Sequence, residues 1–212
     1  MGGSGAVKGA PRLPAPFEPH LTPHGVTHSC TPDSGIRPSP CAKREAVQPD
    51  EVVRVVSALQ GEGLSVWIDG GWGVDALLGR VTRRHDDVDL VVELQELPQV
   101  YGCLSLLGFA VAEDFSPVRV VLQSPDGRQV DLHPVTFAED GTAWQIGASP
   151  EGSDCPYPAE GFTVGQILGT TVPCLSAALQ LEHHRGYPPR ERDRRDMALL
   201  ARQFGLDLPA PY

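Results

Sequence analysis

The stretch of residues 68–93, IDGGWGVDALLGRVTRRHDDVDLVVE, constrains the fold of this chain more than any other part of it. An apolar run at residues 64–68 leads into the stretch and predicts a buried strand, which Gly70 and Gly71 then interrupt. Residues 74–78 have the apolar pattern of a short helix that ends at Gly79. A second apolar run follows at residues 88–93. The sequence therefore predicts a strand, a glycine turn, a short helix and a second strand in close succession.

The glycine turn is a candidate binding site for an anionic group. Without Cβ atoms, the backbone at Gly70 and Gly71 can approach a phosphate closely, and the N–H groups at the start of the next helix point toward it. Three arginines lie between the glycines and the second strand, and Arg84 and His85 are the candidates for phosphate contact. The alternatives are a plain tight turn for the glycines, a solvated loop arginine for Arg84 and a structural hydrogen bond for His85.

The second apolar run begins with two acidic residues, Asp87 and Asp89. Residues two apart in a strand project from the same face, so these carboxylates share one side while Val88 and Leu90 pack beneath them. Carboxylates about 7 Å apart at their Cα atoms repel each other unless a cation lies between them. Mg²⁺ is the expected cation, because it prefers hard oxygen ligands and usually takes only one or two carboxylates. Solvent-facing acidic residues on a strand are the alternative.

A third carboxylate comes from a predicted hairpin. Apolar runs at residues 118–123 and 129–135 flank the turn sequence Ser-Pro-Asp-Gly, which is typical of a hairpin. Asp131 lies between two apolar residues of the second run, and His133 shares its face. If this strand lies beside the strand of Asp87 and Asp89, the three carboxylates converge.

The rest of the chain divides into three parts. Residues 1–46 are predicted to be a disordered leader, because the first fifty residues contain nine Pro and six Gly and lack hydrophobic periodicity. Residues 47–136 form the predicted core, with helices opening at Pro49 and at Gln95. Residues 137–212 are predicted to be a loop-rich segment followed by C-terminal helices from Ser176 and Arg190.

Within the third part, residues 137–171 are Gly-rich and are expected to be irregular. The exception is residues 162–168, expected to form a short strand or hairpin capping the site. His183 and His184 are adjacent on a predicted helix and are interpreted as surface residues. A loop of this length is usually either functional or disordered, and our hypothesis is that it selects the substrate together with the C-terminal helices.

Charge and hydropathy limit the function classes. The net charge is −10, and residues 86–160 contain fourteen acidic residues against only Arg119 and Arg128. Such a surface repels nucleic acid and favours cationic ligands. No apolar run is long enough to span a bilayer, and the N-terminus has no signal-peptide core. We therefore expect a cytoplasmic protein that binds neither nucleic acid nor membrane.

The sequence WIDGGWGVDALLGRVTRRHDDVDL resembles the nucleotidyltransferase superfamily, and within it the aminoglycoside 2''- and lincosamide nucleotidyltransferases of antibiotic resistance. The segments DLHPVTFAEDG and CLSAALQLEHHRGY also resemble the lincosamide branch, so the resemblance covers about residues 48–204. It implies an α/β (α+β) fold with a mixed twisted sheet flanked by helices and a small C-terminal helical part.

The resemblance also implies an activity. It implies a Mg²⁺-dependent transferase with two ions held by Asp87, Asp89 and Asp131. The implied reaction moves a nucleotide, AMP from ATP or else that of another nucleoside triphosphate, to a hydroxyl of a small cationic antibiotic. In such enzymes the carboxylate matching Asp131 also acts as the general base. Two alternatives stay open: a nucleotide-binding, antitoxin-like module, and an adenylyltransferase acting on a protein or another metabolite.

Overall fold

The computed structural model describes residues 46–149, 152–185, 188–208 and 210–212. Apart from Ala46, the leader predicted for residues 1–46 lies outside the described residues. Within these ranges the helices are α1 (Pro49–Gly61), α2 (Gly70–Leu78), α3 (Leu97–Leu106), α4 (Ala177–His183) and α5 (Glu191–Phe204). The strands are β1 (Val66–Asp69), β2 (Asp87–Glu93), β3 (Ala110–Phe115), β4 (Arg119–Gln123), β5 (Gln129–Phe137), β6 (Ala143–Gln145), β7 (Cys155–Tyr157), β8 (Phe162–Ile167) and β9 (Thr170–Leu175).

The main sheet is mixed, with strand order β3-β4-β5-β2-β1-β9-β8. Strand β2 pairs antiparallel with β1 and parallel with β5, and β1 also pairs parallel with β9. The predicted hairpin is confirmed, because β4 and β5 pair antiparallel around the turn. The predicted fold class, a mixed sheet with flanking helices, is therefore confirmed.

The largest core lies between the sheet and helices α1 and α3. Helix α1 begins as predicted, with Pro49 in its first turn beside two acidic residues. The first turn tolerates the missing N–H of proline and favours negative charge. Its apolar side, including Val52 and Leu59, is fully buried. Val88 and Leu90 of β2 project into the same core, as the alternation of the strand predicts. The opposite face of β2 carries Asp87 and Asp89 together with Val91, which is buried in a second, smaller apolar cluster.

The region of residues 137–171 differs from the expectation of an irregular loop. It contains β6 and β7, which extend β5 as a small antiparallel sheet, and β8, which pairs with β9 at the edge of the main sheet. Strands of three residues, such as β6 and β7, have too little hydrophobic alternation to be detected in a sequence. The short strand or hairpin expected at residues 162–168 is confirmed as β8, but it forms the edge of the main sheet, and none of its residues lines the cavity of the candidate site described below.

One further boundary differs from the prediction. The predicted glycine turn is part of a helix, because α2 already begins at Gly70. Gly79 ends α2 in the left-handed conformation, as predicted. Among the described residues, no helix combines the length and the apolar character needed to cross a membrane.

Candidate active site

Three aspartates from three adjacent strands lie in register across the sheet. Asp69 of β1 pairs with Asp89 of β2, and Asp89 pairs in turn with Asp131 of β5. Residues directly opposite on paired strands project from the same face, so these carboxylates form a row. Asp87, two residues before Asp89, shares their face. The predicted convergence of Asp87, Asp89 and Asp131 on one face is therefore present.

Asp131 is enclosed by donors from its own hairpin. Arg119, at the start of β4, donates to Asp131 Oδ2 through Nε at 3.1 Å and also through Nη2. The other carboxylate oxygen accepts from Gln129 Nε2 at 2.7 Å. Both oxygens of this buried carboxylate are thus engaged by protein donors.

Asp89 leads a chain of polar contacts into the small sheet. His133 Nε2 lies 3.3 Å from Asp89 Oδ1, and His133 Nδ1 lies 3.4 Å from Gln145 Nε2. Tyr157 Oη donates to Gln145 Oε1 at 2.7 Å. Burial by itself lowers the pKa of His133, but the hydrogen bond and charge of Asp89 outweigh burial and raise it. His133 therefore supports Asp89, as its position on the face of Asp131 suggested.

Asp69 is a member of the row that the sequence reasoning missed. Its Oδ1 accepts the backbone N–H of Gly70 at 2.7 Å, so it caps helix α2. Its Oδ2 lies 3.6 Å from His183 Nδ1 on α4. Burial alone would raise the pKa of Asp69, but the interactions with His183 and the charge of His133 lower it to about 2. The signal available in the sequence was its position as a helix N-cap.

His183 corrects the interpretation of the two adjacent histidines as surface residues. Its side chain is 20% exposed and contacts Asp69, and its ring meets the ring of Tyr157 edge-on with centroids 4.5 Å apart. Because Asp69 and His183 are distant in sequence, periodicity within α4 could not reveal the contact.

The carboxylates also influence one another. Burial raises the pKa of Asp87, and the negative charges of Asp89 and Asp131 raise it further. Asp86, the residue before Asp87, lies outside the row and has a side chain that is 52% exposed. Like charges held on one face at this spacing favour either a bound proton or a bound cation.

Gly70 and Gly71 allow side chains to approach the backbone closely. Gly70 has a φ of +57°, and a Cβ there would lie 2.1 Å from Asp89 Oδ2. A Cβ on Gly71 would lie 2.4 Å from His85 Nδ1 and 2.5 Å from Arg83 Nη2. In this structure the space beside both glycines is filled by side chains, so their predicted contact with phosphate stays a prediction.

The two other predicted phosphate ligands make contacts with other parts of the protein. His85 is buried and its Nε2 lies 2.6 Å from Asp75 Oδ2, which favours the structural hydrogen bond left open above. Arg84 has a side chain that is 62% exposed and lies 3.5 Å from Asp86. Arg83 reaches α5 instead and donates to Asp196 at 2.7 Å.

A cavity of about 590 Å³ opens beside the row. Of the predicted site residues, Gly70 and Asp89 line it, and the remaining five do not. Much of its remaining wall comes from the start of β4, from the segment around β7 and from the end of α4. The other lining residues include Asp69, Val118, Arg119, His133, Gln145, Ala148, Pro156, Tyr157, Glu182, His183 and Arg185. Asp89 therefore faces a space large enough for a substrate.

The donor set is suited to a hard divalent cation. Among the described residues, no group of three or more His, Cys, Asp or Glu side chains is arranged to hold a metal ion. Asp131 is engaged by Arg119 and Gln129, and Asp89 by His133. The chemistry still fits, since three neighbouring carboxylates on one face supply oxygen ligands of the type that Mg²⁺ prefers. Burial is the main cause of the raised pKa of Asp87; the charges of Asp89 and Asp131 raise it further, and a cation would relieve that part.

This mixed sheet, with its aspartates on adjacent strands and a cavity beside them, defines a nucleotidyltransferase fold. A sequence model of the aminoglycoside-2''-adenylyltransferase family matches residues 51–200. The chain therefore belongs to this family and is a nucleotidyltransferase of the antibiotic-modifying branch.

Two curated relatives represent two substrate classes. Over 158 residues the chain is 30% identical to a lincosamide resistance protein of Staphylococcus haemolyticus, covering 74% of this chain and 97% of the relative. Over 123 residues it is 35% identical to a 2''-aminoglycoside nucleotidyltransferase of Escherichia coli, covering 58% of this chain and 64% of the relative.

Solved structures agree with this placement. The lincomycin-bound crystal structure of the lincosamide antibiotic adenylyltransferase LnuA superposes with a TM-score of 0.66 and 29% identity, covering 74% of this chain and 98% of LnuA. The crystal structure of ANT(2'')-Ia with adenylyl-2''-tobramycin has a TM-score of 0.60 at 23% identity and covers 74% of this chain and 89% of that protein. At that identity the second likeness concerns the fold alone.

Proposed function

We propose that this protein transfers AMP from ATP to a hydroxyl of a small antibiotic, a lincosamide or an aminoglycoside, and releases pyrophosphate. The observation that carries the proposal is the register of β2 and β5, which sets Asp89 beside Asp131 with Asp87 on the same face. The family match supports the reaction class, and the cavity at Asp89 supports a small-molecule acceptor.

The aspartates would hold the metal. Asp87 and Asp89 would bind one Mg²⁺, and Asp131 would complete the site for a second. Bound Mg²⁺ neutralises charge on the phosphate oxygens and aligns the reacting groups. His133, which contacts Asp89, keeps that carboxylate oriented toward the cavity.

The chemical step needs a base near the acceptor. The acceptor hydroxyl oxygen attacks the α-phosphorus, the bond to the bridging oxygen of the leaving pyrophosphate breaks, and the hydroxyl proton moves to a base. Asp131 is the proposed base, from the matching position in the family. Its Oδ2 accepts two hydrogen bonds from Arg119, whereas its Oδ1 accepts one from Gln129 and keeps a lone pair on which the proton could be taken up.

The charges around the cavity favour a lincosamide over an aminoglycoside. All three carboxylates among the described lining residues have basic partners: Asp69 has His183, Asp89 has His133 and Glu182 has Arg185. An aminoglycoside carries several ammonium groups and needs carboxylates available to pair with them, whereas a lincosamide carries one basic amine on a largely apolar body. Val118, Ala148 and Pro156 give the cavity an apolar wall for such a body.

The segment of residues 137–171 and the end of helix α4 supply part of the cavity lining. Gln145 and Tyr157 come from β6 and β7, and Glu182 and His183 come from α4. This supports the expectation that the two regions select the acceptor. Replacing residues 137–171 with the segment of a relative that has another acceptor should change the acceptor preference. An unchanged preference would reject this role.

The test is product analysis. The purified protein is incubated with ATP, Mg²⁺ and a panel of lincosamides and aminoglycosides, and drug mass and released pyrophosphate are measured. We expect adenylylated lincosamide with an equal amount of pyrophosphate, and little product from aminoglycosides. Exclusive modification of aminoglycosides would reverse the acceptor assignment. No product with any drug, together with intact ATP binding, would reject antibiotic adenylylation.

A further inference from the structure

Arg119 is the residue whose contacts conflict most directly with the proposed chemistry. Its guanidinium donates twice to Asp131 Oδ2, the carboxylate that the proposed function assigns to metal binding and proton transfer. A lone pair that accepts an N–H bond is not available to a cation, and a guanidinium repels a divalent ion. The pair as it stands therefore opposes a metal ion at Asp131.

The two partners of this ion pair differ in their freedom to move. The Asp131 side chain is 6% exposed and is fixed at its other oxygen by Gln129. The Arg119 side chain is 39% exposed and lines the cavity beside Asp89. Arg119 is also the first residue of β4, so rotation of its side chain disturbs only the end of the strand. If the pair opens, the arginine is the partner that moves.

The cavity offers Arg119 a second anionic partner when substrate is present. A nucleoside triphosphate bound at Asp89 would place phosphate oxygens within the space that Arg119 lines. The guanidinium donors match phosphate geometry in a two-point contact. Arg84, predicted from the sequence for this role, lies outside the lining of the cavity.

We propose that Arg119 is an exchangeable counter-ion: it neutralises Asp131 in the nucleotide-free protein and moves to the triphosphate when the nucleotide binds, which makes Asp131 available to a metal ion. This inference rests on the proposed function, because it takes the nucleotide and the metal from it. It adds that Arg119 couples the binding of the nucleotide to the binding of the metal ion. Metal binding at Asp131 then depends on bound nucleotide, and no metal ion occupies this position before the nucleotide binds.

The test measures binding rather than turnover. Mn²⁺ is used as the probe ion, and its affinity is determined by electron paramagnetic resonance of free Mn²⁺ in the absence of nucleotide. We expect Arg119→Gln to bind Mn²⁺ about fivefold or more tightly than the wild type, because Asp131 has lost its competing cation. The gain should disappear in the double variant Arg119→Gln/Asp131→Asn.

Nucleotide affinity should move in the opposite direction. With a triphosphate analogue carrying a methylene group between the α- and β-phosphates, Arg119→Gln should bind about tenfold more weakly, since charge-assisted hydrogen bonds are lost. Arg54→Gln, which removes the same charge from helix α1 where the side chain is 50% exposed, is the matched control and should leave both affinities near the wild-type values. If Arg119 had a purely structural role, Arg119→Gln would bind both Mn²⁺ and the triphosphate analogue more weakly than the wild type.

A second variant guards against misfolding. Arg119→Lys keeps the charge but loses the two-donor contact, so its nucleotide-free Mn²⁺ affinity should lie between those of the wild type and Arg119→Gln. An unchanged or weaker Mn²⁺ affinity in both variants overturns the exchange, even if the wild type modifies drugs normally. A wild type that binds Mn²⁺ neither with nor without the analogue overturns the metal-dependent function as well, so the two failures can be told apart.

Discussion

Asp69 is held as a carboxylate by two contacts, the N–H of Gly70 at the start of α2 and the imidazole of His183. Its side chain is 14% exposed, so the effect of these contacts is weakly screened by solvent. Although burial opposes ionisation, the basic neighbours set the pKa at about 2, against an ordinary value of 3.8. Asp69 therefore stays charged beside the aspartates of the proposed metal site.

This lowered pKa predicts a pH-dependent stability difference. A carboxyl with a depressed folded-state pKa stabilises the protein above its unfolded-state pKa, and the contribution is lost as the pH falls from about 4 to about 2. Asp69→Asn keeps the helix cap but not the charge. The wild type should exceed the variant by about 2 kcal/mol in unfolding free energy near pH 6. Urea titrations down to about pH 3 should show this difference shrinking, and a constant difference would contradict the role of charge.

Gly70 provides a second test at the residue scale, because Gly79 is a matched control. Both glycines have positive φ, +57° and +65°, so alanine costs about 1 kcal/mol of backbone strain at either position. Only at Gly70 would the added Cβ overlap Asp89, because nothing lies within 4 Å of a Cβ at Gly79. We expect Gly70→Ala to reduce adenylyl transfer by about a hundredfold, as for loss of one stabilising group, and Gly79→Ala to retain it. Equal activities would mean that Asp89 does not need its present position.

At the scale of elements, helix α5 anchors the loop that carries the chain from α2 to β2. Arg83 of this loop donates to Asp196 of α5 at 2.7 and 2.9 Å, and Arg195 donates to the Thr82 carbonyl at 2.9 Å. Asp196 is buried, with a side chain that is 4% exposed. The loop sets the start of β2 and therefore the position of Asp87.

Breaking the ion pair between Arg83 and Asp196 should lower the free energy of unfolding. Asp196→Ala leaves a largely buried guanidinium without its carboxylate, and we expect a loss of about 3 kcal/mol in unfolding free energy. Glu191→Ala, an exposed acidic residue in the first turn of the same helix, should cost less than about 1 kcal/mol. Denaturant titration of both variants measures the difference, and similar small losses would show that α5 does not anchor the loop.

The elements that could be predicted from the sequence were those with a strong local signal. Helix α1 has Pro and acidic residues at its start and a wide apolar face, and the β4–β5 hairpin has a turn sequence between two apolar runs. Strands β6 and β7 have only three residues each and depend on pairing with β5. Their stability comes from the tertiary contacts of Ala143 and Tyr157, which no local pattern reveals.

The candidate site also combines residues that could be predicted from the sequence with contacts that could not. Asp87 and Asp89 could be placed on one face by strand alternation, and Asp131 by the apolar residues on either side of it. The pairings of Asp131 with Arg119 and of Asp69 with His183 could not be predicted, because they depend on sheet register and on helix α4 returning to the row. The proposed phosphate contacts of Arg84 and His85 rested on sequence proximity and stay predictions, since neither residue is among those that line the cavity.

At the scale of the whole molecule, both faces of the sheet pack apolar side chains, but only one of them carries the candidate site. The face toward α1 and α3 holds the largest apolar core, while the opposite face carries the aspartate row and the cavity. The net charge of −10 led us to expect a cationic substrate, but the acidic residues that line the cavity have basic partners. The charge of the surface is therefore a weak guide to the acceptor, and the cavity wall is a better one.

The account depends on the carboxylate row being the catalytic centre, and Asp89→Asn tests this most directly, with Asp86→Asn as its control. The two residues are three positions apart and the substitutions change charge equally, but Asp89 lines the cavity whereas the Asp86 side chain is 52% exposed. The initial rate of lincosamide adenylylation, with ATP and Mg²⁺, is measured by mass spectrometry. We predict a loss of about a hundredfold or more for Asp89→Asn and a change of no more than about twofold for Asp86→Asn. An Asp89→Asn protein that is folded and transfers AMP at the wild-type rate would contradict the account.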